Sequence, residues 1–248
     1  MNKIFFIALS LHVMCNAFGQ DSLKVSPEND LKATYDELTL ELNINPFNGE
    51  LSLNNVLNQI KLRYFISNDL AIRVGFNINS TKIDITTTNP YGTNPYTLEE
   101  NKKTSLLGLN AGIEKHFLGT RRLSPYVGVE LAIANKSSSH IINDGSTETT
   151  IEGAWRTVSL VNNSFVYGYE EKAYFQYGVN LIGGFDFYVA KHFFLGYEIA
   201  FEFFNKEYKG VDITTVGTPF PQDNPDSKET EFSLGPNLLN GIRIGYVF

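Results

Sequence analysis

The sequence predicts an all-β fold: a transmembrane, antiparallel, up-and-down β-barrel of eight strands, with short periplasmic turns and long extracellular loops. Eight segments of about ten residues alternate between apolar residues and other residues with a period of two, which indicates strands of bilayer-spanning length. Short connections alternate with long ones along the chain, as is typical of outer-membrane barrels. A segment typical of export signals precedes the first strand.

The composition excludes several other classes of protein. Hydrophobic residues make up 42% of the 248 residues and aromatic residues 13%, which argues against a disordered chain. The mean hydropathy of −0.15 argues against a bundle of transmembrane helices. The net charge of −7 gives no attraction to a nucleic-acid backbone, so we expect no nucleic-acid partner.

Residues 1–19 have the pattern of a secretory signal peptide. Lys3 supplies the positive start, a mostly apolar stretch follows, and Ala17-Phe18-Gly19 is a small-x-small cleavage site. We expect residues 20–36 to be a short polar periplasmic leader and residues 37–248 to be the barrel domain.

Cysteine usage limits the chemistry further. A lipoprotein signal at Cys15 is disfavoured, because Met14 occupies the position where a small residue should precede the lipidated cysteine. Cleavage after Gly19 leaves a mature chain without cysteine, which excludes disulfides and thiol catalysis.

The eight predicted strands are separated by connections of two lengths. The strands are 38–45, 59–66, 70–79, 107–113, 127–133, 177–189, 193–203 and 238–248. The short connections are 67–69, 118–124 and 190–192, and the long ones are 46–56, 80–104, 136–171 and 205–231. A soluble sandwich would share the alternation, but unstructured loops of 25 to 35 residues would be unusual there.

The connection 136–171 contains two further apolar stretches, 157–161 and 165–169, on either side of Asn162-Asn163. Each is too short to cross a bilayer. We expect them to form a hairpin that protrudes from the barrel.

Three stretches and the chain end resemble a known family. The stretches are Leu62-Arg63-Tyr64-Phe65-Ile66-Ser67-Asn68-Asp69-Leu70-Ala71-Ile72-Arg73, Glu114-Lys115-His116-Phe117 and Arg122-Leu123-Ser124-Pro125-Tyr126-Val127-Gly128-Val129-Glu130. They resemble the eight-stranded OmpA/OmpX-like outer-membrane β-barrel superfamily, and within it barrel proteins common in Bacteroidetes. The resemblance implies an integral protein in the outer membrane of a Gram-negative bacterium, in contact with outer-membrane lipid. Residues 241–248 look like the signal by which the barrel-assembly machinery recognises its clients, with Tyr246 and Phe248 as its candidate residues.

Nine charged residues have the parity that faces the barrel lumen. They are Glu41, Lys61, Arg63, Arg73, Glu114, Glu130, Asp186, Glu198 and Arg243. An eight-stranded barrel has room for side chains but not for a wide channel, so we expect a structural plug of mutually compensating charges. A gated ion path or a bound polar ligand is the alternative.

Arg63 and Arg73 are neighbours on the second and third predicted strands. We expect Glu41 and Glu114 to hold them. Because two arginines repel, we also expect loss of Glu114 to destabilise the barrel more than loss of Arg73 does.

No catalytic residue, cofactor or metal site is predicted. Some barrels of this size modify lipid A with a histidine, a serine and an acid that face the lipid. Here Glu114 and His116 share a face, but no nucleophile lies in sequence reach. A cluster of histidine, serine and acid in the folded protein would favour an enzyme.

Aromatic residues are predicted in two settings. Aromatic girdles at the two membrane interfaces are expected from Tyr64, Phe117, Tyr126, Phe187, Phe193, Tyr246 and Phe248 at the lower ends of strands and from Phe201 and Phe203 at the upper ends. The long loops contain Tyr91, Tyr96, Trp155, Tyr169 and Tyr208, and exposed aromatics suit recognition.

We therefore expect a non-enzymatic integral outer-membrane β-barrel with a structural or interaction role. Its partner would be another outer-membrane protein or an external ligand, bound through loops 80–104, 136–171 and 205–231. A transporter of small solutes or hydrophobic compounds is the alternative, which a hydrophobic channel in the lumen would favour. A lipid-modifying enzyme is the third hypothesis.

Overall fold

The computed structural model describes residues 31–44, 57–90, 96–162, 164–217, 228–237 and 242–248. The signal peptide and most of the leader lie outside the described residues, as does connection 46–56. The strands are β1 (Leu38–Ile44), β2 (Leu57–Ser67), β3 (Leu70–Asn89), β4 (Tyr96–His116), β5 (Leu123–Asn143), β6 (Glu148–Glu152), β7 (Trp155–Val161), β8 (Ser164–Glu170), β9 (Tyr174–Ala190), β10 (Phe193–Tyr208), β11 (Asp212–Val216), β12 (Thr230–Asn237) and β13 (Ile242–Val247). Among these ranges there is no helix long and apolar enough to cross a membrane.

Eight strands pair antiparallel around a ring. The order is β1, β2, β3, β4, β5, β9, β10, β13 and back to β1. β12 pairs with the far half of β10, so β12 and β13 lie along the same strand of the barrel. The predicted eight-stranded up-and-down barrel is confirmed.

One end of the barrel carries only short turns. β2 and β3 are joined by Asn68 and Asp69, β4 and β5 by residues 117–122, and β9 and β10 by Lys191 and His192. These three turns agree with the predicted short connections. We call this end the short-turn end and the opposite end the long-strand end.

The connections at the long-strand end are mostly strand, which corrects the sequence interpretation. Most of the predicted loop 80–104 belongs to β3 and β4, which pair from Leu70 with Lys115 to Asn89 with Tyr96. A strand of 20 residues, such as β3, rises roughly 50 Å at ~3.3 Å per residue and ~40° tilt, about twice the apolar band of such barrels. Threonine and isoleucine dominate residues 81–88, and these β-branched residues favour strands even where the surroundings are polar.

The other two long connections also form β structure. β5 continues to Asn143 and pairs with β6, and β11 pairs with β6 in turn. β7 and β8 form a separate two-stranded sheet, which confirms the hairpin expected around Asn162. The long-strand end therefore carries an extended sheet and a projecting hairpin.

The outer surface of the barrel carries an apolar belt. Outward side chains on neighbouring strands are exposed, such as Ile72, Phe76, Leu109, Ile113, Leu131, Ile133, Leu181, Phe185, Leu195, Ile199 and Ile242. The girdle residues Tyr64, Phe117, Phe187, Phe193, Phe201, Tyr246 and Phe248 are exposed too. Tyr126 is an exception: it is 2% exposed and faces the lumen, so its assignment to the girdle was wrong.

The end of the predicted leader packs at the short-turn end. Ala33 is buried against a cluster that includes Phe65, Tyr188 and Phe194, and Leu31 packs beside it. The Lys32 Nζ atom donates a hydrogen bond of 2.5 Å to a backbone oxygen of the 117–122 turn. Residues 31–33 therefore cover the lumen at the short-turn end.

We predict that Leu131→Arg, in the middle of the belt on β5, costs about 2–4 kcal/mol, because it places a charge at the depth of the lipid hydrocarbon. The same change at Ser137, an exposed outward residue six positions further along β5, should cost much less. The measurement is the urea midpoint of the barrel refolded into lipid vesicles. Equal losses at both positions would contradict the position of the belt.

Candidate functional site: the charged lumen

The alternation of each strand places the nine charged residues in the lumen. Every one of them is at most 3% exposed, and together they are the buried Asp, Glu, Lys and Arg side chains of the described residues. Arg63 on β2 lies directly opposite Arg73 on β3, and Glu41 on β1 lies opposite Lys61. The strand register therefore places charged side chains of neighbouring strands side by side in the lumen.

Three arginines and three glutamates form a closed ring of alternating charge. Glu41 contacts Arg63 and Arg243, Glu114 contacts Arg63 and Arg73, and Glu198 contacts Arg73 and Arg243. The distances within this ring include 2.7 Å for Arg63 to Glu114, 2.8 Å for Arg73 to Glu114, 2.9 Å for Arg73 to Glu198 and 2.6 Å for Arg243 to Glu41. We call these six residues the charge ring.

The other three charged residues attach to the charge ring. Asp186 bridges Arg63 at 2.8 Å and Arg243 at 2.5 Å. Glu130 contacts Arg73 at 2.6 Å, and Lys61 contacts Glu198 at 2.8 Å. Each arginine therefore contacts three carboxylates.

The contacts of Arg73 differ from the sequence expectation. Glu41 holds Arg63, together with Glu114 and Asp186, but it does not hold Arg73. Arg73 instead contacts Glu114, Glu130 and Glu198. Strand parity showed which residues face the lumen, but not which long side chains meet across it.

Tyr126 completes the network from β5. Its hydroxyl donates a hydrogen bond of 2.6 Å to Glu198. Its ring centre lies 5.7 Å from the Arg63 guanidinium carbon and 5.0 Å from that of Arg243, within cation–π range. Its even number places it on the same face as Glu130, a parity signal that could have identified it.

A glycine leaves room for one of the ion pairs. A Cβ atom at Gly196 would lie 2.7 Å from the Arg243 Nη2 atom and 2.8 Å from the Asp186 Oδ1 atom. Any larger side chain there would push apart a buried pair. Gly196 faces inward on β10, opposite Arg243.

His116 lies below the charge ring and connects Ser124 with Glu114. The His116 Nδ1 atom is 2.9 Å from the Ser124 hydroxyl, and its Nε2 atom is 3.1 Å from Glu114. The expectation that no nucleophile lies in sequence reach of His116 was wrong, because the β4–β5 turn folds Ser124 back beside this ring. All three side chains face the lumen, not the lipid, and are at most 5% exposed.

The charges of this buried group do not cancel fully. Five carboxylates face four cations among the nine residues, which leaves one excess negative charge among them. Glu130 receives additional hydrogen bonds from the side-chain amides of Asn110 and Asn180, at 3.5 and 3.3 Å. Loss of a cation therefore unbalances the lumen more than loss of an acid.

The remaining residues singled out from the sequence lie outside the lumen. Tyr246 and Phe248 form an outward edge-to-face pair at 4.9 Å at the short-turn end. Tyr96 is 49% exposed, whereas Trp155, Tyr169 and Tyr208 are half-buried. Tyr91 lies outside the described residues.

A cluster of polar and aromatic side chains surrounds the half-buried Tyr208 at the long-strand end. Glu231 accepts a hydrogen bond of 2.8 Å from the Tyr208 hydroxyl, and this bond raises the pKa of Tyr208 to about 12. Lys206 lies 5.0 Å from the ring centre of Tyr174, which makes an edge contact with Tyr208. The polar and aromatic groups of this cluster therefore interact with one another at the long-strand end, outside the lumen.

The contacts predict that Arg73→Met destabilises the barrel by about 3–5 kcal/mol, more than Glu114→Gln does. Removing Arg73 leaves three acids short of a partner and raises the excess to two negative charges. Removing the Glu114 charge leaves each neighbouring arginine with two carboxylates and a balanced lumen. This order is the reverse of the sequence expectation. The measurement is the urea midpoint of the refolded barrel.

The double variant Arg73→Met, Glu114→Gln should lose less stability than the sum of the losses in the two single variants, because the two side chains are in direct contact. Lys82→Met is the control, since Lys82 pairs with Asp84 on the exposed part of β3 and should contribute about 0–1 kcal/mol. Additive losses, or a neutral Arg73→Met, would show that the charges are not coupled.

Comparison with known proteins places this architecture in a family. The model of the family described as "Putative OmpA-OmpF-like porin family" matches residues 43–232. Among solved structures, the chain is similar to the N-terminal beta-barrel domain of Pseudomonas aeruginosa OprF, at 11% identity and a TM-score of 0.31, over 87% of this chain and 100% of that one. No curated protein matches the sequence significantly. From the family match, we conclude that the chain belongs to the OmpA-OmpF-like porin family.

Proposed function

We propose that this protein is a non-enzymatic outer-membrane β-barrel that binds another outer-membrane protein or an external ligand through its long-strand end. In this proposal the short turns face the periplasm, the apolar belt contacts outer-membrane lipid, and β6 to β8 and β11 lie outside the cell. The lumen is a structural plug that holds the barrel together.

The β7–β8 hairpin carries the proposal. Val158 lies opposite Tyr167, and Leu160 lies opposite Phe165, so all four share one face of the hairpin. Their exposed fractions are 53%, 55%, 64% and 71%, in that order. We call these four residues the hairpin face. Clustered exposed apolar residues of this size are typical of contact surfaces.

The surroundings of the hairpin face favour a protein partner over lipid. Residues 157–169 contain no charged side chain in a chain with a net charge of −7. In the described part of the chain, β7 and β8 pair only with each other, so no further strand covers the outward backbone N–H and C=O groups of either edge; one of them, the Arg156 N–H, is bonded to His140. Lipid cannot satisfy such groups, whereas a protein surface or a wet interface can.

The lumen favours a plug over a pore. The charge ring crosses the lumen, and the aromatic side chains of Phe65, Tyr188 and Phe194 lie buried toward the short-turn end. This arrangement supports a closed interior, not a hydrophobic channel. The transporter alternative would need the charge ring to open.

The His116 group gives the enzyme hypothesis its one supporting observation. A serine, a histidine and an acid meet at hydrogen-bond distance, as acyl-transfer chemistry requires. Two features weigh against catalysis: Ser124 is 3% exposed, and Glu114 is already shared between two arginines. We propose a structural role for these residues.

The plug predicts that the purified barrel forms no stable porin-sized conductance in a planar bilayer. The reason is that a buried, ion-paired lumen leaves no continuous water path. A wide porin recorded under the same conditions is the control. Reproducible large openings would contradict the plug and favour the transporter.

The hairpin face predicts that the double variant Leu160→Ser, Phe165→Ser loses partner binding in the native membrane. Truncating two central apolar side chains should weaken association about tenfold or more. The measurement is the yield of a discrete cross-linked adduct in cells of the host. Ser159→Ala with Ser164→Ala, on the opposite face of the hairpin, is the matched control. An unchanged yield in the apolar double variant would exclude this face as the contact.

A further inference from the structure

A second buried cluster lies on the long-strand end, beyond the apolar belt. It combines side chains from β5, β6 and the segments beside the hairpin, all at most 7% exposed: Ser138, His140, Thr149, Ile151, Ala154 and Ala173. His140 is 1% exposed and takes no part in the lumen network or the belt. A buried titratable group outside the membrane band needs its own explanation.

The hydrogen bond of His140 fixes its protonation state. The backbone N–H of Arg156 donates to the His140 Nδ1 atom over 3.1 Å. A backbone N–H can only donate, so Nδ1 must carry a lone pair. The single ring proton is then on Nε2, which lies 3.4 Å from a Glu100 carboxylate oxygen. A proton added at Nδ1 would face the Arg156 N–H and break this bond.

The bond to His140 holds the start of β7, Trp155 and Arg156, which we call the root of the β7–β8 hairpin. Arg156 is the second residue of β7, and its guanidinium carbon lies 5.2 Å from the centre of the Tyr167 ring on β8. At the same end of the hairpin, the Trp155 indole N–H donates a hydrogen bond of 3.1 Å to the backbone oxygen of Lys103. The hairpin beyond this root forms its own separate sheet.

The charged groups that face His140 come from two strands. Glu100 and Lys102 lie on β4 and pair with each other at 3.3 Å, and Arg156 lies on β7. The directly opposite residue on β6, Ile151, is apolar. Burial lowers the pKa of His140; Lys102 and Arg156 lower it further, whereas Glu100 raises it.

We propose that His140 is a pH-sensitive latch for the external hairpin: the neutral ring holds the hairpin root at Arg156, and protonation of Nδ1 releases it. The folded state with the root attached binds fewer protons than the released state. The attachment is therefore fully present above the ordinary histidine pKa of ~6.5 and is lost as the pH falls from there toward the lowered folded value. This inference is independent of any partner of the hairpin face.

The test is amide hydrogen exchange of the full protein in lipid vesicles, measured from pH 7.5 to pH 4.5 as protection factors, so that the intrinsic pH dependence cancels. Peptides that cover 155–161 should lose protection by up to about tenfold per pH unit across the transition, as expected for one proton. Peptides of the belt strands should keep theirs. Constant protection of 155–161 in the wild type would overturn the latch.

Substitutions of the two charged β4 residues beside His140 should shift the pH midpoint of the loss of protection in opposite directions. Lys102→Met removes a cation and should move the midpoint to higher pH, whereas Glu100→Gln removes the carboxylate and should move it to lower pH. A purely structural role for these residues would not shift the midpoint in opposite directions. Shifts of the same sign, or none, would contradict the proposal.

His140→Asn tests the ring itself. The asparagine oxygen can accept the Arg156 N–H at the place of Nδ1 but takes up no proton, so protection should become independent of pH. His192→Asn, at the short-turn end, is the matched control and should keep the wild-type response. A full response in His140→Asn would overturn the proposal, and if this variant does not fold, the two charge variants still decide.

Discussion

The charge ring is the constraint on which the rest of this barrel depends. Six charged side chains, each at most 2% exposed, alternate in sign across the lumen, so each one needs both of its neighbours. The same strands carry apolar residues on the outward face. A slip of one residue in any pairing would turn lumen charges into the lipid and apolar side chains into the lumen. The buried charges and the belt therefore fix the strand register together.

The alternation pattern of the sequence predicted the fold but not the full length of the strands. Period-two alternation gave the eight strands and the short turns, because a spanning strand must be apolar on one face. Beyond the belt this requirement ends, and residues 80–89 look like a loop because Ile83 and Ile85 are their only apolar residues. Their strand structure comes from pairing with β4 and from β-branched residues, which polarity patterns do not reveal.

The lumen shows the same division between what parity determines and what packing determines. Parity is local, so the inward direction of Arg73 could be predicted from its own strand. The three acids that contact Arg73 lie on β4, β5 and β10, at distances in sequence that no local pattern encodes. Tyr126 was misassigned because it stands at a strand end beside the outward Val127, where an interfacial aromatic is expected. Ser124 was missed because only the register of β4 with β5 brings it to His116.

The two buried histidines of the described residues show how the hydrogen-bond partner at Nδ1 constrains a histidine ring. Both rings have a carboxylate near Nε2, Glu114 beside His116 and Glu100 beside His140. The partner at Nδ1 differs: a Ser124 hydroxyl in the lumen and the Arg156 backbone N–H outside it. A hydroxyl can act as donor or acceptor, so the bond to Ser124 does not decide which His116 nitrogen carries the ring proton. A backbone N–H can only donate, so the bond between Arg156 and His140 must break when the His140 Nδ1 atom is protonated. The attachment of the hairpin root therefore depends on a neutral His140 ring, because the partner of that ring is a backbone N–H and not a hydroxyl.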